Sequence, residues 1–202
     1  SLRFEAEDAG TALSTLGFTN SILGGKLKIV GSPRLVGGSR DMVGSAVLTD
    51  FTMKDAPVVA KLLNAISLIG VLQMLGGEGL SFKKARVDFI WTDEGQPKQK
   101  KNVRLLTLKN GSTAGASLGL TFEGNIDNWN NTYDLKGTLV PASEISKLLN
   151  VVPIIGTILT AGGEGILAAT YTIKGPKETP AVFVNPLSVL APGILRKMFF
   201  EQ

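Results

Sequence analysis

Residues Lys61 to Leu80 read KLLNAISLIGVLQMLGGEGL, and Lys147 to Ile166 read KLLNVVPIIGTILTAGGEGI. The two stretches align without a gap at an offset of 86 residues, and ten of the twenty positions are identical: Lys-Leu-Leu-Asn at the start, Ile-Gly in the middle and Gly-Gly-Glu-Gly at the end. A repeat of this kind marks one structural unit used more than once. Within the first copy Val58, Val59, Leu62, Leu63, Ile66 and Ile69 recur at three- and four-residue spacings while Lys61, Asn64 and Ser67 fall elsewhere, which is the pattern of a one-faced helix. Gly76-Gly77 and Gly162-Gly163 then supply positive-φ positions that stop the helix, and Pro153 breaks the second copy. A weaker third copy runs from Asp8 to Leu27, where Asp8-Ala9, an apolar run through Leu13 and Leu16, and Gly24-Gly25 precede a strand-like Lys26 to Val30. Each unit therefore reads as strand, short amphipathic helix, glycine-rich stop and strand, with the two long copies occupying about residues 48–92 and 134–175 of a single 1–202 domain. Glu78 and Glu164 invite an acid–base reading, but their equivalent places in a repeated turn assign them to the turn.

Around the repeats the period is two. Ala85, Val87, Phe89 and Trp91 oppose Lys84, Arg86 and Asp88; Leu118, Leu120, Phe122, Gly124 and Ile126 oppose Ser117, Thr121, Glu123 and Asn125. Tyr133, Leu135, Gly137 and Leu139 oppose Thr132, Asp134, Lys136 and Thr138, and Leu167, Ala169, Tyr171 and Ile173 oppose Thr170, Thr172 and Lys174. These are half-buried strands. Asp93-Glu94-Gly95, Asn110-Gly111 and the Asp127 to Asn131 run read as short hairpin turns between them. The expected fold is α+β and β-rich, a meandering, curved antiparallel sheet with short amphipathic helices inserted between strands, and one long apolar face. Periodicity leaves two coverings of that face open. Helices near 9–17, 56–75 and 142–160 close it as a core, or part of it stays open as an apolar trough for acyl chains.

Composition narrows the chemistry. The 202 residues contain neither histidine nor cysteine, which excludes Ser-His-Asp and Cys-His triads, His- or Cys-based zinc sites, iron–sulfur clusters and disulfides. The glycines form neither a Walker A loop nor a dinucleotide fingerprint. No cofactor, metal or catalytic residue is expected. The chain is 44% hydrophobic and 19% charged with a mean hydropathy of +0.21, and its 24 glycines accompany a mainly aliphatic apolar content. The formal charge is +4, and the densest basic stretch, Lys98, Lys100, Lys101 and Arg104 beside Lys83, Lys84 and Arg86, lacks interleaved aromatics, so nucleic acid is not an expected partner. Attraction to anionic lipid headgroups fits the same charges. Ala56 to Leu75 has the length of a bilayer span, yet Pro57, Lys61, Asn64, Gly70 and Gln73 interrupt it, and a mid-span Lys costs about 2.5 to 3.5 kcal/mol. Ser1 leads straight into Leu2-Arg3-Phe4-Glu5, so the sequence reads as a piece of a longer chain.

Gly137-Thr-Leu-Val-Pro141, Leu148-Leu149, Val152-Pro-Ile-Ile-Gly156, Gly162-Gly-Glu-Gly165, Tyr171-Thr-Ile-Lys-Gly-Pro176 and Val182-Phe-Val-Asn-Pro186-Leu-Ser-Val-Leu-Ala-Pro192-Gly-Ile-Leu-Arg196 together resemble the C-terminal region of AsmA-like proteins of Gram-negative bacteria. The resemblance extends over essentially the whole chain, with the C-terminal third as its specific part. It implies a periplasmic, non-catalytic module of the cell envelope whose parent is anchored in the inner membrane, and whose apolar groove takes part in phospholipid transport and outer-membrane biogenesis. A scaffold or protein-interaction domain is the alternative. The residues expected to contact lipid are Leu62, Leu63, Ile66, Ile69, Val87, Phe89, Leu118, Leu120, Phe122, Leu148, Leu149 and Ile155. The apolar end from Pro186 to Phe200, divided by Pro192-Gly193 into two expected helical pieces, places Arg196, Lys197, Phe199 and Phe200 at a membrane surface.

Overall fold

A computed structural model describes residues 1–36, 39–65, 68–96, 101–141 and 166–190. Among these residues the chain forms nine strands: β1 (Leu2–Ala6), β2 (Ile22–Val36), β3 (Ser39–Met53), β4 (Leu80–Gln96), β5 (Lys101–Gly115), β6 (Leu118–Asp127), β7 (Thr132–Pro141), β8 (Ile166–Pro176) and β9 (Ala181–Leu190). Each pairs antiparallel with the next, giving one open sheet whose spatial order is the sequence order. Helix α1 (Ala9–Thr15) is inserted between β1 and β2, and α2 (Pro57–Ala65) and α3 (Ile69–Gly76) between β3 and β4. Because the pairing is sequential and antiparallel, both insertions leave from the same end of the sheet, as do the end of β7 and the start of β8.

Two contacts require the sheet to be curved. Phe18, four residues before β2 begins at Ile22, meets Trp91 edge-on with ring centroids 6.1 Å apart. Ile22 is aligned through Met53 with Leu80, and a straight β4 would carry Trp91 about 36 Å beyond Leu80, whereas four residues reach at most about 14 Å. The long strands therefore bend over α1. Across the sheet, the Lys61 ammonium of α2 donates to the carbonyl of Pro180, 3.2 Å away, just ahead of β9. Six flat strand spacings from β3 to β9 would cover about 29 Å. Helix α2 begins four residues after β3 ends at Met53 and packs against β9, so the sheet curls around it.

Inside the curl Leu62, Leu63, Leu75, Leu80, Phe51, Phe82, Leu118, Leu120, Leu139, Tyr171 and Ile173 form one buried cluster, with Val182 and Val184 of β9 packed against it. The period-two rows named above share this inward face. A kink across three strands keeps it continuous: Gly24, Gly25 and Asp50 have positive φ, and the paired ladders skip Gly25, Asp50 and Lys83. On one side of the kink Phe51 and Phe82 point inward, their rings stacked 5.3 Å apart. On the other side Leu27, Leu48 and Ala85 do so. Strict alternation would have sent one of these groups outward.

Several local expectations are corrected. Asp93-Glu94-Gly95 is strand, paired with Arg104, Val103 and Asn102. Asn110-Gly111 is a bulge inside β5, with Asn110 at φ 52° and the register shifting between Leu108 and Gly111. Asp127 to Asn131 does turn the chain, the Asp127 carboxylate accepting from the Trp129 and Asn130 amides. The stop after α3 uses Gly79, at φ 91°, whose amide donates to the Met74 carbonyl; Gly77 has φ −94°. Residues 186–190, expected in a helical piece, belong to β9, where a register shift accommodates Pro186 on the edge strand. Of the second long repeat unit, 134–175, the flanking strands β7 and β8 are described, while residues 142–165, with the expected helix near 142–160, lie outside the described residues.

Candidate functional site

Beyond the buried cluster, β3, β4, β5 and β6 continue their inward rows. Ala46 lies opposite Val87, Gly44 opposite Phe89 and Met42 opposite Trp91; Phe89 lies opposite Leu108 and Trp91 opposite Leu106; Leu108 and Leu106 lie opposite Gly124 and Ile126. The side chains of Met42, Ala46, Val87, Phe89, Trp91, Leu106, Leu108 and Ile126 are all only half-buried, and none belongs to the buried cluster. Phe18 overhangs Trp91 and is itself 50% exposed. The arrangement is an apolar trough that runs on from the closed core.

Glycine shapes its floor. A Cβ on Gly44 would lie 2.8 Å from the tip of the Phe89 ring, so the ring lies across the neighbouring strand's backbone instead of standing off it. The opposite face carries the charges. Lys136 pairs with Glu123 at 3.0 Å, Lys174 with Asp134 at 3.5 Å, Lys28 with Glu5 at 3.6 Å and Arg34 with Asp41 at 3.9 Å, each pair cross-strand in register. Arg3 donates to Glu5 and holds its carboxyl below the usual carboxylate value, while Glu7 raises Lys26. At the closed end, burial pushes the Tyr171 phenol well above 10, and its hydroxyl donates to the Thr121 carbonyl at 2.7 Å. Tyr133 is also raised, chiefly by burial, and the Lys177 ammonium lies 5.8 Å from its ring centre.

The residues read from the sequence as lipid contacts fall into three sets. Leu62, Leu63, Leu118 and Leu120 are at most 5% exposed and packed on one another, so a lipid chain reaches them only if α2 leaves the sheet. Val87 and Phe89 line the trough, and half-buried Phe122 lies over Gly111 between trough and core. The backbone of Ile69 begins α3. Ile66, Leu148, Leu149, Ile155, Arg196, Lys197, Phe199 and Phe200 lie outside the described residues. Sequence reading missed Met42, Ala46, Leu106 and Leu108. Leu106 and Leu108 alternate with Leu105, Thr107 and Lys109, a signal blurred by the Asn110 bulge.

Among the described residues no helix is long and apolar enough to cross a membrane, and no group of three or more potential metal ligands comes together. The chain matches no protein-family model, no curated protein and no solved structure.

Proposed function

We propose that this chain is a non-catalytic terminal module of an AsmA-like envelope protein, binding or conducting phospholipid acyl chains along the trough in the periplasm. The observation that carries the reading is the half-buried apolar surface of β3 to β6, continuous with a closed core and backed by a charged outer face. Each methylene laid on such a surface gains about 0.8 kcal/mol, and the gain has no direction, so a chain is held while remaining free to slide. No cofactor or metal enters this mechanism. The parent chain is anchored in the inner membrane and hands lipid toward the outer one, and the +4 charge favours anionic membrane surfaces over repelling them. Residues 134–175 repeat the strand–helix–strand unit of 48–92 in this reading, and Arg196, Lys197, Phe199 and Phe200 meet the headgroups. A scaffold role is the second reading, favoured by the packing of α2 against β9, which fills that side of the sheet with protein.

Native mass spectrometry of gently purified protein tests the choice. Copurified phospholipid, lost on delipidation and regained from vesicles, is the expected result. A well-folded protein that carries no lipid and takes up none would leave the scaffold reading standing.

A further inference from the structure

The outer face of β5 to β9 carries a second depression, a groove of about 620 Å³. Its floor is a row set side by side by the register: Thr121 opposite Thr138, Thr138 opposite Thr170, Thr170 opposite Asn185. The next row runs Glu123, Lys136, Thr172 and Phe183. Lys136 and Glu123 are the charged residues of the lining, and they neutralise each other at 3.0 Å. Phe183 is 63% exposed, while its neighbours Val182 and Val184 supply β9's contacts to the core.

These features select a ligand. An anion would find the lysine already paired. An acyl chain would take water from the Thr172 hydroxyl and the Asn185 amide without offering them a hydrogen bond, which is unfavourable. A neutral sugar matches both properties of the groove: its hydroxyls can exchange hydrogen bonds with the Thr172 hydroxyl and the Asn185 amide, each a donor and an acceptor, and its C–H face can lie on the exposed Phe183 ring. The volume falls within the roughly 300 to 1,000 Å³ of small-molecule sites. We propose that this groove binds a neutral saccharide of one or two sugar units. The site is on the face opposite the trough and does not depend on the lipid reading.

The test is a titration of the full chain, with threonine methyl groups labelled for NMR, against maltose, cellobiose and N-acetylglucosamine. At least one of the three is expected to shift the Thr138 and Thr172 methyl signals saturably. Phe183→Ala should weaken that binding about tenfold without lowering the melting temperature, since the ring is exposed; Thr172→Val, whose backbone role is unchanged, should weaken it as well. The proposal is overturned if none of the sugars shifts those methyls, if both variants bind as the parent does, or if glucose phosphate binds more tightly than the neutral sugars.

Discussion

At Gly137 the sheet leaves no room for a side chain. A Cβ there would sit 1.9 Å from the Thr121 carbonyl oxygen and 2.6 Å from the Tyr171 hydroxyl, because the Tyr171 ring crosses β7 to reach β6. Gly137→Ala should therefore destabilise by about 1 to 3 kcal/mol, whereas Gly76→Ala, in open space at the end of α3, should stabilise by about 0.5 to 1 kcal/mol. Denaturant midpoints of the two variants check the contrast. Tyr171 itself gives a pH signature. Its folded phenol titrates well above the unfolded value near 10, so the stability it confers is complete below about pH 10 and is lost as pH rises beyond it, when only the unfolded chain has released its proton. Tyr171→Phe should cost about 0.5 to 1.5 kcal/mol at neutral pH and flatten the alkaline limb of the stability profile. Tyr171 was legible in the sequence as an inward residue, but its partner was not, since period two gives a face and no cross-strand neighbour. Asn110-Gly111 shows the converse. The dipeptide has the backbone freedom of a tight turn, and the strand spends that freedom on a bulge because Leu108 and Gly111 both have partners in β6.

The helices show what periodicity resolves at the scale of an element. The spacing of Leu62 and Leu63 located α2, and both residues are buried as that spacing requires. It did not show that the 56–75 stretch would divide into α2 and α3. A single straight helix of twenty residues would run about 30 Å; two pieces allow Leu62, Leu63 and Leu75 to enter one core, with the Asp55 amide donating to the Leu75 carbonyl to tie the start of α2 to the end of α3. Leu63→Ala should destabilise by about 2 to 5 kcal/mol, measured by thermal or chemical unfolding, because Leu63 is fully buried in the core cluster and its loss leaves a cavity there. At the start of α1, Asp8 is the N-cap, a role that its reading as the first residue of a weak repeat copy did not assign. The Asp8 carboxylate accepts from the Thr11 amide and hydroxyl, which holds its pKa below 3.8. Its support of α1 is thus present above the ordinary carboxylate value and fades as pH falls through the lowered one.

On the scale of the whole molecule, alternation fixed which face is apolar, and left open whether that face is core or trough. Curvature decides it, and curvature comes from places where the pattern is interrupted: the kink at Gly25 and Asp50, the bulge at Asn110 and the glycines overlaid by aromatic rings. Those interruptions close the sheet on α2 around Leu120 and leave it half-open around Phe89. The same substitution at the two positions should therefore have opposite signatures. Leu120→Asp places a charge in a site 5% exposed among aliphatic neighbours and should cost more than about 4 kcal/mol, enough to threaten folding. Phe89→Asp, where water already reaches the side chain, should cost about 1 kcal/mol and leave a cooperative unfolding transition, yet it puts a carboxylate in the path of an acyl chain. Melting temperature and copurified lipid, measured on both proteins, separate the cases. If Phe89→Asp retains its fold and its lipid alike, acyl chains do not use the trough; if it unfolds as Leu120→Asp does, the trough is part of the core.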